Sequence, residues 1–556
     1  MSSQMKIYCV NMKEYVDFSG GETLLDVYER ISHRIPFRPI CARVNFKAED
    51  LRFPLFAPKQ VEYLPATSES GRRTYVRSLC MVLYKAVADC FPGTRLHIEH
   101  SVSKGYYCRL SGGVEADAET AATLKRHMRE IVDADIPFER KERLTEDVIR
   151  IFERQGLDDK VKLLHSLQEL YTVYYRLGDL CDSYYGQLAP STGLLRVFDL
   201  VPHMQGLLLT GFSPDNTDEP QQPVTQEKMF KAFTDYMAFN AVVGVSNVGE
   251  LNQAVAEGKS ADLINVSEAL HNNRIAAMAD EIAARYHKGG ARIVLVAGPS
   301  SSGKTTFTKR LAIQLMTNLL KPKMISLDDY FVDRHHTPRD EQGEYDYESL
   351  YALDLEQFNS DLNRLLAGEE VELPYYNFAT GEREYRGNRI RLTEKSILLI
   401  EGIHGLNPEL TADIDPRMKF CVYVSALTTI SIDDHNWIPT TDNRLLRRII
   451  RDHKYRGASA VDTIRRWPSV RRGEEKWIFP YQENADATFN SALLFELGVM
   501  KDRAEATLRE VPRNVPEYGE ASRLSKFLSY FKSIGLEYVP STSLIREFMG
   551  GSSFTY

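Results

Sequence analysis

A β-branched run, RIVLVA at residues 292–297, stops at a small-residue loop, GPSSSGKT at 298–305, and the chain then resumes as KTTFTKRLAIQLMTNLL. Few local patterns restrict a fold as tightly. The run predicts a strand buried on both faces, which favours a parallel sheet. The segment after the loop predicts a helix with Phe307, Leu311, Leu315 and Leu319 on one face. The loop itself fits G-x-x-x-x-G-K-[ST], whose glycines let backbone N–H groups and a helix N-terminus converge on one anion. Gly298, Ser300, Ser301, Ser302, Gly303, Lys304, Thr305 and Thr306 therefore read as a polyphosphate cradle. Lys304 is expected to reach the β- and γ-phosphates, and the Thr305 hydroxyl to give one oxygen to a magnesium ion, so ATP and Mg2+ are the expected ligands.

A chain of 556 residues exceeds one ordinary hydrophobic core, and two to four domains are expected. A net charge of −8 argues against whole-surface binding of nucleic acid while leaving local basic patches available. No apolar run approaches the roughly 18 residues of a membrane span, and MSSQMKIYCV lacks a signal-peptide core, so a cytoplasmic protein is expected. The seven scattered cysteines, with no Cys-x-x-Cys pair, read as reduced packing residues.

The residues downstream of the loop decide what is done with the phosphate. An Asn-Lys-x-Asp base-reading motif is missing, which disfavours a GTPase switch. KMISLDDYF at 323–331 reads as a strand that delivers Asp328 and Asp329 at its carboxyl end, where parallel sheets place ligands. A carboxylate there could accept the proton of an attacking hydroxyl. SILLIEG at 396–402 is a second such strand, ending in Glu401, an acid suited to the magnesium shell together with Thr305 and Asp328. KFCVYVSA at 419–426 is a third. TDNRLLRRIIRDHKYRG at 441–457 then carries Arg444, Arg447, Arg448 and Arg451 at helical spacing, with Arg456 just beyond, and reads as a cationic lid over a transferring phosphoryl group.

Taken in order, GPSSSGKT, SLDDYF, YDYESLYALDLEQF, LPYYNF, LIEGIHGL, RLLRRIIRD and NADATFN resemble the phosphoribulokinase and uridine kinase family of P-loop metabolite kinases over residues 291–500. The resemblance implies Asp328 as general base, Lys304, Arg444 and Arg447 as catalytic cations, and Arg451 as a further donor-site contact. It also implies Asp346, Tyr376 and Arg456 as acceptor-site residues. One departure concerns the acceptor. Where uridine-cytidine kinases carry a histidine that reads the pyrimidine edge, this chain has Gly381, so base specificity does not carry over. The segment DDHNWIPTTDNR at 433–444 is also longer than its counterpart, and His435, Asn436 and Trp437 could shape an altered acceptor pocket or form a surface loop.

The first half resembles a different family. MKIYCVNMKEYVDFSGGETLLDVYERI looks like a β-grasp TGS domain (1–65), and the segments YVRSLCMVLYKAVADCFPG to YYRLGDLCDSYYGQLAPSTGLLRVFDL are similar to the editing domain of threonyl-tRNA synthetases (66–220). By that resemblance a metal would be held by two histidine-containing pairs, but Arg77, Met81, Tyr184 and Leu188 occupy those positions, so metal hydrolysis is not expected. His97, His100 and Cys108 are an alternative cluster that packing explains better. A helical connector (221–290) and a helical tail (501–556), in which no chemistry is legible, complete the expected plan. The expected fold class is α/β: a P-loop NTPase sheet flanked by helices, preceded by a β-grasp module and an α+β synthetase-like module. The expected activity is ATP-dependent phosphorylation of a small nucleoside-like hydroxyl compound, with no membrane partner. The rival is an RNA- or nucleotide-binding regulatory protein in which ATP gates conformation, and a homo-oligomer scaffolded by the front half is a third reading.

Overall fold

The computed structural model describes residues 5–340, 343–378 and 380–556. Five parallel strands form one sheet in the order Lys321–Ser326, Ser396–Glu401, Ile293–Ala297, Lys419–Ser425, Ala487–Asn490. The loop-bearing strand is central, and all five of its residues are buried, as a continuous apolar run in a doubly covered sheet requires. The helix Lys304–Thr317 covers one face, with Phe307, Leu311 and Leu315 fully buried. Leu319 departs from the expected stripe. The helix ends at Thr317, Leu319 adopts a left-handed backbone (φ 61°), and its side chain is 74% exposed.

Helix Leu355–Leu366 and the ends of strands Glu370–Asn377 and Glu382–Arg391 cover the opposite face. The connector is helical as expected, and the long helix Ser260–His287 packs Ile275, Ala279 and Ile282 against the first face. The segment after residue 500 is integral to the fold. Phe527, Leu528, Ile545 and Phe548 share one core with Leu445, Leu446, Ile449 and Ile450 of the arginine-bearing helix Thr440–Tyr455.

The front half begins with a five-stranded sheet in the order Glu14–Phe18, Met5–Cys9, Gln60–Leu64, Cys41–Val44, Lys47–Glu49, closed by helix Leu24–Ile31, a β-grasp arrangement. A 22-residue helix, Glu69–Cys90, then packs on a four-stranded antiparallel sheet and a three-stranded one. All seven cysteines are free, five of them buried. Among the described residues, no helix is long and apolar enough to cross a membrane.

Candidate active site

The cradle is built by the carboxyl end of the central strand and the first turn of the helix behind it. At Gly298 (φ 155°) a Cβ would lie 2.0 Å from the Val424 carbonyl oxygen, so only glycine lets the loop leave the sheet this close to its neighbour. Ser301 is held left-handed (φ 59°), and Gly303 precedes the helix. The Lys304 ammonium donates to the Pro299 carbonyl (3.1 Å), folding back across the loop. Burial lowers its pKa, while the carboxylates of Glu401, Asp328 and Glu547 act in the opposite sense, which puts all three acids within electrostatic reach of it.

Glu401 is adjacent because its strand pairs directly with the central one, with Val296 opposite Glu401, while Ser326 lies opposite it on the other side. The Thr305 hydroxyl donates to both Glu401 oxygens, at 2.9 and 3.2 Å. Burial pushes the Glu401 carboxyl up to about 7, against the opposing pull of the Lys304 ammonium. A hydroxyl and two carboxylates, Thr305, Glu401 and Asp328, form a hard-oxygen donor set suited to Mg2+.

The two adjacent aspartates differ. Asp329 is turned inward, accepts the Tyr376 backbone N–H (3.3 Å), and is pushed up to about 6 by burial. Asp328 remains exposed on the open side, beside Lys304, Glu401, Glu348 and Arg456.

The arginine helix requires a correction. Arg444 and Arg447 were expected as lid contacts, yet they are 1% and 0% exposed. Arg444 is ion-paired with the buried Glu474 and donates to the Ser300 carbonyl (2.9 Å). Arg447 pairs with Glu496 (2.5 Å) and donates to the Ser491 carbonyl (3.0 Å) and the Ser301 carbonyl (3.4 Å). Both side chains lie beneath the loop as braces, because the helix face that carries them is packed into the core. Arg448, four residues on from Arg444, faces the site instead and donates to the Ser300 hydroxyl (2.7 Å). Arg451 pairs with Asp452 (2.9 Å). Arg456, 55% exposed at its side chain, lies 3.6 Å from Asp452.

Three acids beside the cradle were not singled out from the sequence. Glu474 accepts the Ser300 N–H (3.1 Å). Glu348 is pushed up to about 7 by burial and by Glu474. Glu547, from the C-terminal segment, accepts the N–H and hydroxyl of Thr306 at 3.1 and 2.7 Å. Only Glu348 carried a signal, since it lies two residues past Asp346 in a block already matched by resemblance.

On the acceptor side Tyr376 is 2% exposed and packs against Phe331 and Phe378, with ring centroids 5.5 and 5.0 Å away. Asp346 accepts the Glu348 N–H (3.2 Å) in the turn below. At Gly381 (φ 77°) a Cβ would lie 2.6 Å from the Arg334 guanidinium, and the Arg334 N–H donates to the Gly381 carbonyl (2.8 Å). An arginine thus occupies the space that a base-reading side chain at 381 would need.

The segment 431–437 lies elsewhere. It forms a small hairpin, Ser431–Asp433 with Asn436–Trp437, inserted into the synthetase-like module. His435 lies 2.8 Å from Asp182 and stacks on Tyr84 (4.2 Å); Trp437 stacks on Tyr106 (4.6 Å); the Ile98 N–H donates to the Asp434 carbonyl (2.7 Å). Lys160, 1% exposed, bridges Asp182 (2.9 Å) and Asp433 (2.7 Å). Both expectations for these residues, acceptor pocket and surface loop, give way to a buried plug. Around it, Arg77 is buried and donates to the Gln187 carbonyl (3.2 Å), while Met81, Leu188 and Tyr184 are core residues. His97 engages Asp434 and Ser111 through its two ring nitrogens (2.8 and 2.9 Å), and His100 stacks on Phe233 (4.7 Å).

Residues 293–494 match the profile of the Phosphoribulokinase / Uridine kinase family. The uridine kinase of Staphylococcus aureus strain JH9 is 30% identical over 195 residues, 35% of this chain and 84% of that protein. The threonine–tRNA ligase of Desulforamulus reducens is 32% identical over 186 residues in the N-terminal region, 33% of this chain. Only 29% of that ligase is covered, so the chain spans less than a third of the ligases it matches. A solved structure described as a possible uridine kinase from Bacillus stearothermophilus aligns with a TM-score of 0.24 and 22% identity, covering 36% of this chain and 89% of that one. Because 84% of the Staphylococcus aureus kinase is covered at 30% identity, and the family profile spans the loop, acids and arginine helix described above, this chain belongs to the phosphoribulokinase / uridine kinase family.

Proposed function

We propose that the protein transfers the γ-phosphoryl group of ATP to a hydroxyl of a small, nucleoside-like molecule. The observation that carries the reading is the convergence of the Thr305–Glu401 pair, Lys304 and the exposed Asp328 at the carboxyl ends of three adjacent parallel strands. Asp328 takes the proton of the attacking oxygen, a role open to it because its neighbour Asp329 is committed to the Tyr376 backbone. Lys304 and the N–H groups of the loop hold the polyphosphate. Arg448, Arg451 and Arg456 line the open side and meet the charge that develops on the transferring group, while Arg444 and Arg447 keep the loop in shape. Thr305, Glu401 and Asp328 would hold Mg2+, which when bound offsets phosphate charge. Phe378, 59% exposed and seated on the buried rings of Phe331 and Tyr376, offers a planar ring a face to stack on.

The test is an ATP-consumption screen of nucleosides and related sugars with wild type, Lys304→Ala and Asp328→Asn. Turnover of one acceptor, lost in both variants with the fold retained, is expected. Full activity in either variant would remove that residue's role, and no turnover of any hydroxyl acceptor would favour a protein in which ATP gates conformation.

A further inference from the structure

The C-terminal segment reaches the cradle from more than two hundred residues away. Glu547 lies in a short helix, Arg546–Met549, and its carboxylate accepts both polar groups of Thr306, the backbone N–H (3.1 Å) and the side-chain hydroxyl (2.7 Å). The Tyr556 hydroxyl completes the contact, 2.8 Å from the Thr306 hydroxyl. Thr306 is the third residue of the helix behind the loop, so its N–H is one of the unpaired first-turn donors that such a helix directs at a bound anion. A carboxylate therefore occupies a position where the cradle would otherwise meet phosphate oxygen.

Glu547 is held there by a well-anchored segment. Leu544, Ile545 and Phe548 are fully buried, with Leu544 approaching Gly303 and Phe548 lying 5.1 Å beneath the Arg447 guanidinium. The Met549 carbonyl accepts from Lys454 (2.9 Å) and Arg503 (2.6 Å). The backbone of this segment is thus fixed to the arginine helix and the core, and the freedom left to Glu547 is rotation of its own side chain.

Resting on the reading of this cradle as an ATP site, we propose that the C-terminal segment is a wall of the donor site and that Glu547 sets its affinity as a built-in competitor. The carboxylate satisfies Thr306 while no donor is present and is displaced when the phosphates that the loop backbone cradles arrive. Its charge then repels them at short range. It also lies within reach of Lys304 and Glu401, so neutralising it changes the balance of charge at the centre of the site. The consequence has a definite sign: removing the charge tightens binding of a phosphorylated donor and leaves binding of the unphosphorylated nucleoside unchanged.

The experiment measures direct binding of ATP and of adenosine to the full chain, comparing wild type, Glu547→Gln, Glu547→Ala and Lys304→Ala. Hydrogen bonds to a charged acceptor are roughly twice as strong as neutral ones, so Glu547→Gln should bind ATP about tenfold more tightly. Glu547→Ala should show at least the same gain, and adenosine should bind alike in all. Equal or weaker ATP binding in both Glu547 variants, with wild-type binding still lost in Lys304→Ala, would overturn the competitor role and leave the ATP site standing. Wild-type ATP binding that Lys304→Ala does not diminish would remove the ATP site and this proposal with it. A gain that extends equally to adenosine would mean the tail merely blocks the cleft, and would also overturn the charge argument.

Discussion

Replacing Arg447 by methionine separates a brace from a lid. The guanidinium is fully buried, and its partner Glu496 is 2% exposed, so the variant leaves a carboxylate in the core without its counter-charge. The Ser491 and Ser301 carbonyls lose donors at the same time. Breaking a buried pair from one side costs about 3–5 kcal/mol, most of it the stranded charge. For a cooperative unit of about 200 residues, at about 2.4 °C per kcal/mol, the unfolding midpoint should fall by roughly 7 to 12 °C. Arg447→Met combined with Glu496→Met should recover most of that loss, because two apolar side chains can replace a buried pair at little cost. Thermal unfolding followed by circular dichroism, alongside turnover below the lowered midpoint, is the assay. Arg451→Met, from the same helix, should lose turnover while shifting the midpoint by less than about 2 °C, because Asp452 keeps Arg448 and Arg456 as counter-charges. If Arg447→Met kept the wild-type midpoint and lost only activity, the brace assignment would be wrong and the lid expectation restored.

Glu348→Gln should stabilise the protein in a pH-dependent manner. The native carboxyl lies at about 7 against 4.5 when unperturbed, so the native state binds the proton more tightly and wild-type stability falls as pH rises between those values. The variant escapes that loss, gaining about 1–3 kcal/mol at pH 8 and under about 1 kcal/mol at pH 5 in denaturant titrations; equal gains at both would refute the cause. Lys160→Met strands Asp182 and Asp433 in the plug and should loosen the two halves, costing about 3–5 kcal/mol. Faster proteolysis in the proline-rich stretch 211–226 is the readout, and an unchanged cleavage rate would show that the plug does not hold the halves together. Gly298→Ala forces a methyl onto the Val424 carbonyl and should cost about 1–3 kcal/mol along with ATP binding; a variant with native stability and affinity would show that the close approach is unimportant.

Local patterns in the sequence determined the cradle, its strand and helix, and the acids at the ends of the neighbouring strands. Each of these depends on residues within one turn or one strand of one another, where steric preference and periodicity act. The apolar stripe failed only at Leu319, where the helix had already ended. Tertiary structure alone decided which arginines of one helix are buried, because spacing fixes which residues share a face and says nothing of what that face will meet. It likewise decided that 431–437 fills the synthetase-like module, and that Glu547 reaches Thr306 across 241 positions of chain. Those contacts join segments remote in sequence, and they exist because separate apolar faces had to be buried together.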